Sequence, residues 1–473
     1  MIAILFFILH IPLALVLKYV PYASSAHAAV VLLVGVSFAL QGKIERCACA
    51  AAYIVGSEVL WRATGVAIFY EFGKYAVALL MFLVSMTRTN RSLNLAAVSY
   101  FLLLLPSTVW TFTETPDLRQ VQRILSGQLS GPLCLMGCWL AFSRVSILQS
   151  DLVNILRSTL APILSLAALC TFSTVSAREI TFNTESNFVT SGGWGPNQVS
   201  ISLGLGAMCA FLILLLGKDR RLGKLLLLCA VVGLSTTCLL TFSRSGMAAA
   251  VMAVVIASPF LIRDSRKSVI LVVSLVLIYT VFSSLVIPFL DEFTGGKFTR
   301  RFTDTDLTGR DSLMWAELQV WMNNPVLGVG PGLAKRYKTE AMFAGTHSEV
   351  TRMLAEHGLF GLASLVLLVS SLGLNILRAR GPEARFLITT LAMWAILIMT
   401  SNGMRNASAG FFFGLSCLTI PFAVAAAPPA RPRANFRPLP PSRPLPPQVP
   451  SPLSASSHQA VPRPDSGPPT RAS

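Results

Sequence analysis

Charged residues are scarce in this chain of 473 residues. They make up 12% of it, against about 25% in an ordinary soluble domain, whereas hydrophobic residues make up 53%. Acidic residues are the scarcer kind, with 21 Asp and Glu against 38 Lys and Arg. This composition excludes a single soluble globular domain and predicts a membrane protein.

Patterns typical of metal sites and disulfides are also missing from the sequence. All nine cysteines fall in or beside apolar runs, and none lies in the long polar segment 291–357. We therefore predict no disulfide framework, no metal site and no cofactor. The net charge of +17 comes without a stretch that interleaves basic and aromatic residues, so no nucleic-acid partner is predicted.

Long apolar runs dominate what is present. Each is about 18–20 residues long, enough for a helix to cross a hydrocarbon layer roughly 30 Å thick. Inside that layer backbone groups must pair within their own segment, so these runs predict helices. The predicted fold class is an all-α polytopic membrane protein with about 14 transmembrane helices. Their approximate ranges are 2–20, 24–40, 47–69, 74–87, 95–111, 130–147, 158–176, 197–217, 223–241, 246–262, 268–290, 358–377, 386–404 and 408–426.

Basic residues in the loops predict the orientation. The short loops after even-numbered spans, taken together, carry sixteen Lys and Arg, whereas the opposite short loops carry seven. Because cytoplasmic loops are the richer in Lys and Arg, both termini are expected in the cytoplasm and segment 291–357 outside. Residues 1–426 then form a membrane domain with about 14 helices and this large outer loop inserted.

Residues 427–473 are different in kind. Fifteen of these 47 residues are proline, and such a segment cannot bury a core, so a disordered cytoplasmic tail rich in Pro and Arg is predicted. Its Pro-Leu-Pro-Pro sequences are similar to ligands of polyproline-binding grooves. The simpler alternative is a solvated basic tail held near anionic lipid.

The outer loop 291–357 is predicted to be partly helical. Thr308 is expected to cap a helix running from about Asp311 to Asn323. A second helix is expected to start after His347, and the glycine cluster 327–332 is expected to form a tight turn rather than a phosphate-binding loop. The apolar positions of the first helix should lie on the protein or the membrane surface: Met314, Trp315, Leu318 and Met322.

Cationic residues and one histidine are the candidates for chemistry on the outer side. Arg244 lies in a short break between two spans and could bind a phosphate bidentately, or extend to lipid headgroups. Arg310 opens the loop helix after Arg300 and Arg301, an arrangement suited to an anion, although a solvated charged loop is the alternative. His347 has a side chain whose ordinary pKa suits proton transfer from a sugar hydroxyl; a surface histidine is the simpler interpretation.

Two further groups are candidates for substrate contact. Glu58 and Arg62 are four residues apart in a predicted span, where each would be unfavourable alone, so they either line a polar cavity or lock two helices together. Trp194, Asn197 and Gln198 lie in an outer loop that runs into a span. Tryptophan and amide groups suit sugar faces and hydroxyls, whereas the alternative is an interfacial turn with an aromatic anchor.

A motif near the end of the outer loop resembles a family signature. His347 and Ser348 are followed by nine residues, then by Gly358, two residues and Gly361. This pattern resembles the loop signature of the bacterial O-antigen ligase and O-antigen polymerase superfamily, which consists of multispan membrane glycosyltransferases with a large periplasmic loop. The resemblance covers roughly residues 50–425 and leaves the tail outside it.

Two arginine elements are also similar to this superfamily. Phe-Ser-Arg-Ser-Gly around Arg244, and Gly-Arg with Trp315 around Arg310, resemble the two essential arginine sites of its members. One departure is Ala248, which stands where some members have leucine. The resemblance implies that both arginines bind the pyrophosphate of the donor and that His347 activates or orients the acceptor hydroxyl.

The resemblance implies a metal-independent glycosyltransferase in the bacterial inner membrane. Its partners would be a polyprenyl-pyrophosphate-linked glycan donor and either a glycan or lipid A–core as acceptor, with polysaccharide assembly proteins as candidate partners. We predict a polymerase of exopolysaccharide or O-antigen units, because nothing in the sequence identifies lipid A–core. An O-antigen ligase is the alternative, and a transporter of lipid-linked oligosaccharide is the remote one.

Overall fold

A computed structural model describes residues 2–87, 93–262, 265–303, 310–337 and 348–421. The described residues form α-helices and a few short 3₁₀ or π segments, without a β-strand. The helices are α1 (Ile2–Tyr19), α2 (Ala23–Leu40), α3 (Ile44–Ala63), α4 (Phe72–Met86), α5 (Leu95–Leu102), α6 (Thr108–Glu114), α7 (Leu118–Phe142), α8 (Gln149–Ser176), α9 (Pro196–Leu216), α10 (Arg221–Leu240), α11 (Ser245–Ala257), α12 (Ser265–Val281), α13 (Ile287–Phe293), α14 (Lys297–Thr303), α15 (Arg310–Asn323), α16 (Glu349–Arg378), α17 (Pro382–Asn402) and α18 (Ala407–Leu415). The all-helical fold class is confirmed for this part of the chain.

Eight helical segments of the described chain are long and apolar enough to cross a membrane, and three shorter apolar helices accompany them. Helix α3 is as long as several of these segments, but its sequence includes two charged residues at each end. Most of α3 is buried among other helices, so protein rather than lipid surrounds its charges. The count of about 14 spans stays a prediction.

Two of the predicted spans differ from the observed helices. The expected span 95–111 is divided into α5 and α6 by turns that include Pro106, because proline disfavours helical backbone at the residue before it. The expected span 408–426 begins as α18 but leaves the helical conformation after Leu415, and the chain from residue 422 onward is outside the described residues.

The centre of the bundle consists of α3, α9 and α18, whose side chains are buried on most sides. Helix α3 packs against α8, α9 against α10 and α11, α18 against α7, and α11 against α17. Segment 268–293 lies at the periphery and exposes large apolar residues such as Val269 and Val272. A helix bundle in lipid typically has central helices that are buried on all sides and peripheral helices that expose apolar residues.

Glycines bring α9 and α11 into backbone contact. A Cβ atom added to Gly246 would lie 1.9 Å from the carbonyl oxygen of Ser200, and one added to Gly204 would lie 2.4 Å from that of Gly246. The hydroxyl of Ser200 donates to the carbonyl of Ser243 and accepts from the N–H of Gly246. The start of α11 is therefore fixed directly on α9, with Arg244 immediately before it.

Helix α16 is kinked at Gly358, whose φ of 60° and ψ of −135° are not helical. The kink frees backbone groups, and the glycine cluster pairs with them: the N–H groups of Val329 and Gly330 donate to the carbonyls of residues 355 and 356, and the N–H of Leu359 donates to the carbonyl of Pro325. A Cβ at Gly358 would lie 2.4 Å from the carbonyl oxygen of Val326. The glycine cluster thus forms turns that pair with a kinked helix, which confirms the predicted turn.

The outer-loop helices differ partly from expectation. Helix α15 spans Arg310–Asn323, close to the predicted range, whereas Thr308, its predicted cap, lies outside the described residues. Ser348 caps α16 by accepting from the N–H of Thr351, as expected for a helix that starts after residue 347. The buried side chains of α15 are Leu313, Glu317 and Val320.

The face of α15 expected to be covered is therefore exposed to a large extent. Met314, Trp315 and Met322 are 40%, 59% and 57% exposed, while Leu318 is partly exposed. Packing of Met314, Trp315 and Met322 against the protein, one of the two expected alternatives, is wrong, because α15 turns its other face towards α16. Contact of the apolar face with a membrane surface stays a prediction.

Candidate active site

The turn between α10 and α11 holds Arg244 in a fixed position. Phe242 adopts a left-handed backbone conformation with φ of 59° and is fully buried. The hydroxyl of Ser243 donates to Oδ1 of Asn197 at 2.7 Å. These contacts, together with the Gly246 contact described above, explain why each residue of the Phe-Ser-Arg-Ser-Gly element matters for the placement of Arg244.

Arg301 reaches the same turn from α14. Its Nε donates to the carbonyl oxygen of Phe242 at 3.2 Å, and its side chain is buried. Phe298, one turn earlier on α14, packs edge-on against the Phe242 ring. Arg300 is exposed and does not line the cavity described next.

Arg244 and Arg301 line one cavity of about 360 Å³, which we call the Arg244 cavity. Its other polar lining residues are Asn197, Ser243, Ser245, Thr400 and Ser401, and its apolar ones are Ala248, Ala249, Met252 and Leu397. No described residue that lines it is acidic. The N-terminus of α11, where the helix dipole is positive, begins at this cavity. Two guanidinium groups, hydroxyls and a helix N-terminus together favour an anionic group.

Arg62 forms a buried network beside the Arg244 cavity. It pairs with Glu58 at 2.6 Å and donates to Oε1 of Gln198 at 2.8 Å and to Oδ1 of Asn406 at 2.9 Å. Its guanidinium lies 3.9 Å from the ring centroid of Tyr70, and its Nη2 donates to the carbonyl of Tyr70. Arg62 therefore connects α3, α9 and the segments before α4 and α18.

The other predicted residues of the 191–200 loop lie near this network. Trp194 is half-buried, with its Nε1 3.4 Å from Oε1 of Gln198. The amide nitrogen of Gln198 donates to the hydroxyl of Tyr70. Asn197 lines the Arg244 cavity while its neighbour Gln198 contacts Arg62. These two consecutive residues thus belong to different parts of the site.

A second cavity, of about 270 Å³, lies among α4, α7, the start of α16 and the turn after α17, and we call it the Asn402 cavity. The lining residues that carry a charge or an amide are Glu71, Lys74, Gln128, Lys335, Glu349, Arg352, Asn402 and Arg405; Tyr70, Gly127, Ser348, Gly403 and Met404 complete it. Ser401 lines the Arg244 cavity and Asn402 lines this one. The last turn of α17 therefore borders both cavities.

Most of the charges around the Asn402 cavity are paired with each other. Arg352 forms an ion pair with Glu349 and another with Glu356 at 2.7 Å, and Lys74 pairs with Glu71. Burial lowers the pKa of the Arg405 guanidinium, and the neighbouring Tyr70 opposes that effect. Because carboxylates and cations both line this cavity, it offers hydrogen-bond acceptors and donors together.

Several of these residues were not among the sequence-based site candidates. Glu349, Arg352 and Glu356 show helical spacing of opposite charges, a signal visible in the sequence but one that usually marks a solvated face. Asn402 stands at the end of an apolar span in Ser-Asn-Gly, which gives no distinctive pattern. Their importance follows from burial, which the sequence does not reveal.

The structure does not describe the side chains of two predicted catalytic residues, His347 and Arg310. His347 lies outside the described residues, and Ser348, which follows it, lines the Asn402 cavity. Arg310 is the first residue of α15, and its side chain is outside the described residues. Among the described residues, no group of three or more His, Cys, Asp and Glu could hold a metal ion.

Comparison with known proteins gives one match. Residues 229–366 match the family model described as O-antigen ligase, a range that includes Arg244, Arg301 and the kinked start of α16. No curated protein matches the chain. This family suggests a multi-pass membrane enzyme of glycan transfer that uses lipid-linked glycan and acceptor substrates. The match shows that residues 229–366 are similar to the O-antigen ligase family, which supports the resemblance to the O-antigen ligase and polymerase superfamily.

Proposed function

We propose that this protein transfers glycan from a polyprenyl-pyrophosphate-linked donor to a second glycan at the periplasmic face of the bacterial inner membrane. In the favoured form the acceptor is another lipid-linked unit, so the enzyme polymerises an exopolysaccharide or O-antigen. One observation carries the proposal: Arg244 and Arg301 line one cavity, and no described residue lining it is acidic. Guanidinium groups remain charged at any physiological pH and bind phosphate oxygens in pairs.

The chemical step separates charge at the pyrophosphate. The bond between the donor's anomeric carbon and the pyrophosphate oxygen breaks, and pyrophosphate leaves with the electron pair as the acceptor oxygen bonds to that carbon. Arg244 and Arg301 stabilise this developing negative charge, and Arg310 is assigned the same role by its resemblance to the family element. The proposal assigns this task to arginines, without a metal ion.

The acceptor hydroxyl must lose a proton as it attacks. We assign this proton to His347, because imidazole is the side chain whose ordinary pKa lies nearest to neutral pH. Ser348, the next residue in the chain, lines the Asn402 cavity, which supports this assignment. His347 then releases the proton to water.

Glu58 and Arg62 are assigned to positioning rather than to substrate contact. Arg62 donates hydrogen bonds to Gln198 and Asn406, and Glu58 accepts from the N–H of Ala407 at 2.8 Å. This favours helix locking over the lining of a cavity. Asn197, Trp194 and the exposed Arg300 are retained as candidates for contact with the donor.

A ligase that transfers finished glycan to lipid A–core is the second candidate. The description of the matching family model as O-antigen ligase favours it. A deletion strain separates the two functions. Short lipid-linked units without long polymer indicate a polymerase, whereas free polymer beside unmodified lipid A–core indicates a ligase.

The enzymatic proposal is tested with His347→Ala and Glu58→Gln in cells, with insertion of both variants checked by membrane immunoblot. The enzyme predicts that His347→Ala abolishes glycan assembly while the protein stays inserted. A transporter of lipid-linked oligosaccharide predicts instead that Glu58→Gln is the harmful change. Normal glycan assembly in an inserted His347→Ala variant would contradict the proposed function.

A further inference from the structure

One residue that lines the Asn402 cavity has a buried polar atom without a described partner. Asn402 is 1% exposed, and no described group lies within hydrogen-bond distance of its Oδ1. A buried acceptor left unsatisfied is unfavourable by about 1–3 kcal/mol. Proteins retain such groups where a ligand completes the hydrogen bond.

The surroundings of this atom restrict the chemistry of the ligand. Lys74, Glu349 and Arg352 are each less than 5% exposed and line the cavity. Lys74 and Arg352 are paired with carboxylates, so this lining combines carboxylates with cations, whereas no described residue that lines the Arg244 cavity is acidic. Paired charges offer both donors and acceptors, and hydroxyl groups can use both.

The backbone around the cavity is fixed independently of any ligand. Glu349 accepts from the N–H of Met404 at 3.3 Å, and a Cβ at Gly403 would lie 3.2 Å from the same carboxylate. Gly403 has φ of 66°, which favours glycine. Arg352 also donates to Oε1 of Gln128 on α7. The backbone that follows Asn402 is therefore fixed by contacts within the protein.

We propose that the Asn402 cavity binds the hydroxylated end of the acceptor glycan, with Oδ1 of Asn402 accepting a hydrogen bond from a sugar hydroxyl. This inference rests on the proposed function and adds an acceptor subsite separate from the Arg244 cavity. At about 270 Å³, the cavity lies near the lower limit of roughly 300 Å³ for small-ligand pockets. A cavity of this size accommodates the terminal part of a glycan.

The test compares Asn402→Leu with Thr389→Val in the purified full-length protein in detergent. Both changes remove a buried polar side chain from α17 that has no described partner, but Thr389 lines neither cavity. The probes are the oligosaccharide released by mild acid from the host's lipid-linked glycans, the core oligosaccharide of host lipopolysaccharide, and geranyl pyrophosphate. Equilibrium dialysis measures each Kd, and thermal unfolding reports stability.

Asn402→Leu is expected to weaken binding of one oligosaccharide about tenfold and to change the Kd of geranyl pyrophosphate less than twofold. Thr389→Val should leave all three Kd values unchanged. Binding of the repeat-unit oligosaccharide supports the polymerase, and binding of the core oligosaccharide supports the ligase. If Asn402→Leu raises thermal stability and leaves oligosaccharide binding unchanged, or if the wild-type protein binds neither oligosaccharide, the inference is overturned.

A second variant protects the test against misfolding. Asn402→Asp keeps an acceptor oxygen at the same position, so it should retain oligosaccharide binding to within about threefold. Loss of binding in both variants, with a normal Kd for geranyl pyrophosphate showing an intact fold, would contradict a hydrogen bond accepted by residue 402. Failure of the proposed function is a separate result, seen as intact glycan assembly in His347→Ala cells.

Discussion

The two cavities differ in the charges of the residues that line them. The described lining of the Arg244 cavity includes two arginines and no carboxylate, whereas the lining of the Asn402 cavity includes two carboxylates beside four cations, of which Lys74 and Arg352 are paired with carboxylates. Guanidinium groups without a carboxylate in the described lining favour an anion, while carboxylates and cations together offer hydrogen-bond acceptors and donors. In the proposed function, the charged donor and the hydroxylated acceptor therefore bind in separate cavities.

The Arg62 network is the boundary between the cavities. Tyr70, which it contacts through both ring and carbonyl, lines the Asn402 cavity, and Gln198 follows a residue of the Arg244 cavity. Since these groups bind one another, hydrogen bonds connect the linings of the two cavities.

The largest expected effect concerns the buried ion pairs of Arg352 beside the Asn402 cavity. Arg352→Met removes the shared partner of Glu349 and Glu356, leaving two buried carboxylates without their cation. We expect a loss of roughly 3–5 kcal/mol in stability, measured as a lower midpoint of thermal or denaturant unfolding in detergent. The triple variant Glu349→Gln, Arg352→Met, Glu356→Gln should recover much of the loss. An unchanged midpoint in Arg352→Met would show that the charges are solvated.

The next effect concerns the Arg244 cavity. Arg244→Gln should reduce transfer by about 10²–10³-fold, the range for losing one group that stabilises developing charge, and it should weaken binding of geranyl pyrophosphate. Incorporation of labelled glycan in membrane vesicles measures the rate. The matched control is Arg157→Gln. It removes an arginine at the opposite end of the bundle, where Arg157 forms an ion pair with Asp219 at 2.7 Å. Equal losses in the two variants would remove the special role of the Arg244 cavity.

The smallest of the three effects tests whether the contact between α9 and α11 positions Arg244. Gly246→Ala places a methyl group against the carbonyl of Ser200, so α11 must move away from α9, at a loss of roughly 1–3 kcal/mol. Binding of geranyl pyrophosphate should weaken more than that of the oligosaccharide. Gly233→Ala in α10 is the control, because no atom lies within 4 Å of the added Cβ. A stable Gly246→Ala variant with normal pyrophosphate binding would show that the contact does not position Arg244.

Local sequence signals predicted the parts of the site that depend on nearby residues. The start of α16 after residue 347, the range of α15 and the tight turn of the glycine cluster all follow from short patterns of capping residues, glycine and proline. The break at Pro106 carried the same kind of signal, although the long apolar run suggested a continuous span.

The remaining features depend on distant contacts. Asn402 matters because it is buried without a described partner, and its burial arises from helices that pack against α17, such as α16 and α18. The covered face of α15 includes Glu317, which accepts a hydrogen bond from the hydroxyl of Thr351 on α16. The spacing of apolar residues along α15 does not predict this polar contact. Whether Glu58 and Arg62 line a cavity or lock helices likewise depended on Asn406, which lies 344 residues from Arg62.

The break between α5 and α6 has a consequence for biosynthesis. Ser107 bonds the imidazole of His357, 250 residues later, and Thr111 donates to the carbonyl of Pro331. At about 5–20 residues synthesised per second, roughly 10–50 s pass before His357 leaves the ribosome. Until then residues 103–114 lack these partners, so this part of the bundle is completed only when the start of α16 packs against a segment synthesised long before.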